Sequence, residues 1–255
     1  MLTLVKQELF KLSKKKSTWL EMIFLLIVQT SFALRVKNNP DLGLTFSFKQ
    51  GYYGFELIVF FLIAAAATII TSEFEYGTIK NLLYQKYNRG QILASKWLTI
   101  LCYSIYWYIL ATIISVGLKV VLFPKVSLFE QIGFGGLNRL SYFLELHGAQ
   151  LLTTLLLVSL VLLVANLFTN SAVAVSIGIV GYFSTILASA FIGSFISKWE
   201  GFKWNPFTML NYPALISNGV SHLDKLSAPQ MFTGNVVFIG IFLLLGSIVF
   251  SKRNV

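Results

Sequence analysis

The distribution of charge constrains this chain more than any other feature. Runs at 18–34, 53–71, 92–123, 149–168, 172–196 and 232–250 carry almost no ionisable side chains. Each is about as long as a helix rising 1.5 Å per residue needs to cross a hydrocarbon layer of about 30 Å. Only 12% of the 255 residues are charged and 56% are hydrophobic, whereas soluble domains carry roughly 25% charged residues. Lipid offers a backbone amide no partner outside its own segment, so each run must be helical. The expected fold is an all-α integral membrane protein with six transmembrane helices. The fourth and fifth runs are separated only by residues 169–171, a tight hairpin marked by Asn166, Thr169 and Asn170. The third run exceeds one straight crossing and must tilt or extend past a surface.

An even number of spans puts both ends of the chain on one side. That side collects Lys6, Lys11, Lys14, Lys15, Lys16, Lys80, Lys86, Arg89, Lys96, Lys252 and Arg253, eleven of the 20 basic residues, in shorter loops than the other nine. The positive-inside rule then predicts cytoplasmic termini in a multi-pass cell-membrane protein. Sixteen lysines against four arginines, with frequent Phe, Ile and Asn, fit an AT-rich genome such as that of a Gram-positive bacterium. The first run has the basic flank of a secretory signal, but Ser31-Phe32-Ala33-Leu34-Arg35 is a poor cleavage site, so it is expected to be retained. Cys102 is the only cysteine and can form no intrachain disulfide.

Two segments outside the spans look helical. In residues 1–17, Leu2, Val5, Leu9 and Leu12 recur at helical spacing, with Lys6, Glu8, Lys11 and Lys14 mostly elsewhere on the wheel. This suits an amphipathic interfacial helix in the headgroup layer. It serves either as a topology signal and lipid anchor or as an elbow carrying force into the first span. In residues 72–90, Thr71 or Ser72 can cap a helix whose first turn holds Glu73 and Glu75, with Ser72 and Glu75 spaced as a capping box. Gly77 would leave one face open to close packing, Ile79, Leu82 and Leu83 form an apolar stripe, and Asn88-Arg89-Gly90 makes a turn before the third span. An ordinary interfacial helix would also have this pattern.

Several chemistries lack their residues. No G-x-x-x-x-G-K-[ST] occurs, so the chain has no P-loop to hold nucleotide phosphates. There is no H-E-x-x-H, and His147 and His222 stand alone in what read as outer loops. Gly133-Phe134-Gly135-Gly136 reads as a flexible loop, and the basic charge belongs to membrane topology, with no nucleic-acid surface. Glu21, Glu56 and Lys119 lie near span ends. Ion-coupled transporters need intramembrane carboxylates or broken helices, so their scarcity favours an externally powered path. Tyr103, Tyr106, Trp107 and Tyr108 either line such a path or face lipid.

The order of Glu73, Glu75, Gly77, Thr78, Leu82, Leu83, Arg89 and Lys96 resembles the hallmark of ABC-2 type exporter permeases, with Tyr87 where that family often has proline. The resemblance runs along the chain, through Glu8 and Lys11 in the amphipathic start, the six spans, and Asn205-Pro206-Phe207 in the last outer loop. It implies a single transmembrane domain over residues 1–255. Residues 1–17 would form the elbow helix and 72–90 a cytoplasmic coupling helix that touches an ATPase subunit. Residues 197–231 would form a re-entrant outer segment whose Trp199, Trp204, Asn205, Pro206 and Phe207 close the pathway. Those aromatics suit a membrane-anchoring belt equally well. Gly181, Gly193 and Ser194 would permit close helix approach, at a dimer interface in the resembling family.

The implied partners are cytoplasmic P-loop ATPase subunits, a second identical or homologous permease, and membrane lipid. No cofactor is expected in this chain, since ATP and magnesium would sit on the ATPase and hydrolysis would occur there. Short relatives of this kind resemble exporters or immunity pumps for amphipathic peptides, including bacteriocins and phenol-soluble modulins. A non-transporting scaffold or sensor that recruits a partner through residues 72–90 is the alternative.

Overall fold

The computed structural model describes residues 1–39, 41, 43–78, 87–131, 136–218 and 226–252. Among these residues ten α-helices succeed one another: α1 (Leu2–Lys14), α2 (Lys16–Asn38), α3 (Leu44–Lys49), α4 (Gly54–Glu75), α5 (Arg89–Leu122), α6 (Arg139–Ala165), α7 (Ser171–Lys198), α8 (Pro206–Met209), α9 (Tyr212–Asn218) and α10 (Ala228–Lys252). Short 3-10 turns at Gly51–Tyr53 and Glu200–Trp204 join α3 to α4 and α7 to α8. Six helices, α2, α4, α5, α6, α7 and α10, are long and apolar enough to cross a membrane. Among the described residues, extended pairing is confined to a single bridge between Gln131 and Asn138.

The inner pair is α4 and α6, with 67% and 61% of their spanning segments buried, against 28% or less in the other four. They pack on each other, α7 packs on α4, and α10 lies along α6. Lipid tails are as apolar as leucine, so van der Waals fit must hold such helices together. Ala65, Ala66 and Ala67 are buried and narrow α4 around one turn. The close approach of α7 occurs at Gly178, where an added Cβ would lie 2.7 Å from Ile63, whereas Gly181 faces open space.

At the face opposite the chain ends, α2, α4 and α5 are joined by one buried amide. Gln29 Nε2 donates to Gly51 O and to Ser115 Oγ, both at 3.0 Å. Gly54 makes room for it, since a Cβ there would sit 2.1 Å from Gln29 Nε2. Gly51, Tyr52 and Tyr53 all have positive φ, the turn that carries the chain from α3 into α4.

Several sequence expectations shift. The fourth span begins at Arg139, not near 149, and His147 is therefore not a loop residue but a buried member of α6, stacked on Phe55 at 3.5 Å. His222, Leu82, Leu83 and residues 133–135 fall outside the described residues. The third span is one 34-residue helix, about 51 Å long at 1.5 Å per residue. Within it Tyr103, Trp107 and Tyr108 are buried, while Tyr106 and Cys102 lie on the exposed surface.

Candidate functional site

The face that carries the chain ends also holds the last turn of α4, the start of α5, the start of α7 and the end of α10. Here the residues singled out from sequence meet. Helix α1 buries Leu4, Val5, Glu8 and Leu12, one stripe at helical spacing, and packs on α5. The stripe expected from sequence ran through Leu2, but Leu2 is 84% exposed and Glu8 is 7% exposed. The helix is turned toward Glu8 because that carboxylate has partners inside.

Those partners form a four-membered charge cluster. Lys96 of α5, 1% exposed, places Nζ 2.8 Å from Glu73 Oε1 and 3.9 Å from Glu8 Oε2. It also donates to Ile69 O of α4 at 2.8 Å. Lys11 of α1 lies 2.7 Å from Glu8 Oε1 and 3.7 Å from Glu73 Oε1. Two carboxylates and two ammonium groups balance formally, which burial demands, because an unpaired ion in a low-dielectric setting is costly. Partial burial of Lys11 works to lower its pKa, but Glu8 and Glu73 outweigh it and hold the ammonium above the usual lysine value. The cluster fixes α1 to the second and third spans at once.

The neighbouring residues tie in two more helices. Glu75 Oε2 accepts from Ser171 Oγ at 2.6 Å and from Ser171 N at 3.2 Å. A carboxylate thus sits at the first amide of α7, where the helix dipole favours negative charge. Thr71 Oγ1 is 2.9 Å from the same Ser171 hydroxyl. Arg89 Nη1 donates to Ser251 O at 2.9 Å and to Phe250 O at 3.3 Å, at the carboxy-terminal end of α10 where cations are favoured. Glu73, Glu75, Arg89 and Lys96 therefore join α1, α4, α5, α7 and α10.

The proposed start of a helix at Ser72 is overturned. Ser72, Glu73 and Glu75 form the last turn of α4, and the cap is a terminating one. Tyr76 N donates to Ser72 O, Gly77 N donates to Phe74 O, and Gly77 has φ +67°. A left-handed residue just after a helix is a common stop, and glycine takes it without steric cost. Gly77 is exposed, and an added Cβ would meet nothing within 4 Å, so its role in the chain is conformational. The capping box of this region lies instead at Asn88 and Gln91, opening α5, with Asn88 N donating to Gln91 Oε1 at 3.3 Å. Thr78 is exposed and closes the turn.

In the segment between α7 and α10, Asn205 caps α8 by accepting from Thr208 N at 2.9 Å, and Pro206 occupies the first turn. This is the asymmetry that favours Asn before a helix and Pro just inside it. Trp199, Trp204 and Phe207 are exposed. The segment is anchored by Met209, fully buried against Gly234 of α10, and by Asn235 Nδ2, which donates to Met209 O at 3.0 Å. Met209, Gly234 and Asn235 carry no motif, and sequence reasoning passed over them. No group of three or more metal-ligating side chains occurs among the described residues.

Fold and site together define a multi-pass α-helical membrane protein with a buried charge cluster at one face. The chain belongs to the DUF2705 family, described as a protein of unknown function, whose model matches residues 3–255. It is similar to "Uncharacterized membrane protein YdbK" of Bacillus subtilis (strain 168), 27% identical over 251 residues that cover 96% of this chain and 99% of the relative. It is also similar to "Uncharacterized protein YhcI" of the same organism, 24% identical over 233 residues, 87% of this chain and 73% of the relative.

Proposed function

We infer that this chain is the permease subunit of an ATP-driven exporter of the ABC-2 type, moving amphipathic or hydrophobic cargo, foremost peptides, out of the cell. The observation that carries the reading is the convergence of Glu8, Lys11, Glu73 and Lys96 where α4 ends and α5 begins. A partner pressing on the segment between them would move α4 and α5 through their own helix ends. It would also move α1, α7 and α10 through Lys96, Glu75 and Arg89. The chain lacks a P-loop, so a separate cytoplasmic ATPase would supply the force, with both chain ends on its side and a second permease completing the pathway.

In this reading Glu73 acts from inside, holding the lever rather than touching the ATPase, and Thr78 and Arg89 flank the contact. The test is co-purification with the P-loop ATPase encoded nearest to this gene, followed by ATP hydrolysis in lipid with and without amphipathic peptides. Peptide-stimulated hydrolysis that disappears when residues 76–88 are replaced by a flexible linker supports the exporter. An ATPase that neither binds nor responds refutes it and leaves a scaffold or sensor that recruits another partner through the same segment.

A further inference from the structure

A second polar site lies in the opposite half of the molecule. Between α4, α6, α7 and the turn from α8 to α9 is a cavity of about 210 Å³, whose polar lining is Gln150, Thr153, Thr154, Tyr182, Thr185 and Asn211. The hydroxyl protons are already committed. Thr153 and Thr154 donate to Gln150 O at 3.0 and 2.7 Å, and Thr185 donates to Tyr182 O at 2.7 Å. Tyr108 OH, 2.8 Å from Thr154 Oγ1, then donates to it. What the three threonines turn toward a guest is lone pairs, so their side of the cavity is rich in acceptors.

Glu56 adds a charge. It stands in the first turn of α4, one turn before Val59, which lines the cavity. Its Oε2 is buried without a hydrogen-bond partner, and it makes no ion pair among the described residues. Its carboxylate lies within electrostatic reach of Tyr108 and Tyr182. The other carboxylate buried in α4, Glu73, is matched by Lys96. An ionisable group in a spanning helix that lacks such a match marks a ligand path by default. Tyr182 also belongs to an aromatic group with Phe60 and Phe183, at 5.4 and 5.7 Å between ring centroids, a surface that attracts cations.

We propose that this chamber binds the ammonium end of a lysine side chain presented by an amphipathic cargo peptide, with Glu56 as its counter-charge. An ammonium has three donors and no acceptor, which matches the threonine side of the lining and the carboxylate of Glu56 one turn away on α4. The cavity is below the roughly 300–1,000 Å³ of pockets that enclose a drug-sized ligand, so it takes one side chain and not a whole peptide. The identity of the cargo rests on the exporter reading, but the binding step does not need the ATPase.

The experiment uses the purified chain in nanodiscs of zwitterionic lipid, which removes attraction of lysine to the bilayer itself. The probes are a fluorescent amphipathic helical peptide bearing lysines and the same peptide with every lysine acetylated. The lysine form binds at least about tenfold more tightly, the range of a hydrogen-bonded charge. Glu56→Gln removes that preference and leaves the affinity of the acetylated form unchanged. Thr185→Val, which deletes one acceptor and keeps the carboxylate, narrows the preference. Equal affinity of the two peptides for the unaltered protein overturns the proposal, with no variant required. So does a preference that persists in folded Glu56→Gln. If the ammonium preference holds but no ATPase associates, the exporter reading fails and this site stands.

Discussion

Removing the Lys96 charge is the most informative perturbation of the cluster. Lys96→Met keeps the length of the side chain and deletes the ammonium that stands 2.8 Å from Glu73 and 3.9 Å from Glu8. At an effective dielectric of about 20, the attraction at the shorter distance is about 6 kcal/mol. The desolvation cost of the ion offsets part of it, and breaking buried pairs costs about 3–5 kcal/mol net. Lys11 stays 3.7 Å from Glu73, so the lower end applies, about 3 kcal/mol. Glu73→Gln costs less, because Lys96 retains Glu8 and the carbonyl of Ile69. The double variant Glu73→Gln/Lys96→Met leaves no uncompensated ion in the pair and regains much of the loss. The assay is thermal unfolding in nanodiscs, read from intrinsic fluorescence of the five tryptophans. Lys96→Met lowers Tm by about 6–12 °C, and the double variant is more stable than Lys96→Met. A double variant whose loss equals the sum of the single losses would show that the two charges do not interact, and would refute the cluster as the link between α1, α4 and α5.

Four further outcomes follow from named geometry. Gly77→Ala destabilises by about 1 kcal/mol through its left-handed φ, whereas Gly77→Asn is better tolerated and keeps ATPase coupling. If Ala and Asn behave alike in Tm and coupling, conformation is not what Gly77 supplies. Gly54→Ala drives a methyl into Gln29 and costs about 1–3 kcal/mol, and Gly54→Ala/Gln29→Ala recovers part of it in the same Tm assay. Asn205→Ala removes the cap of α8 and costs about 1 kcal/mol, with faster amide exchange at Thr208 as the local readout. Lys11 has a folded pKa above its ordinary 10.5, so its contribution is complete below that value and is lost as pH rises through the folded value. Lys11→Met flattens the alkaline fall in Tm, and an unchanged alkaline profile would exclude Lys11 from the cluster.

How much of this was legible beforehand depends on what each feature requires. The six spans could be read directly, because a hydrocarbon layer demands long uncharged runs and nothing else in the chain competes with that pattern. The lack of a P-loop was equally plain. Glu8, Lys11, Glu73 and Lys96 were each singled out, but a buried charge and a solvated one look the same in a linear sequence. Periodicity turned α1 toward Leu2, because it ranks leucine above glutamate for burial and cannot know that Lys96 waits inside. Ser72 and Glu75 have the spacing of a helix start, yet they end α4, because hydrogen bonds from the preceding span continue through them until Gly77 stops the helix.

The site around Glu56 was the least visible. Glu56, Gln150, Thr154 and Tyr182 come from three helices, and no motif relates them. The sequence by itself determined that this protein is a bundle of six membrane-crossing helices, since solvation of the backbone leaves no other solution for such runs. Tertiary structure alone decided which charges are matched and which carboxylate is left without a partner, because pairing depends on distances between helices far apart in the chain.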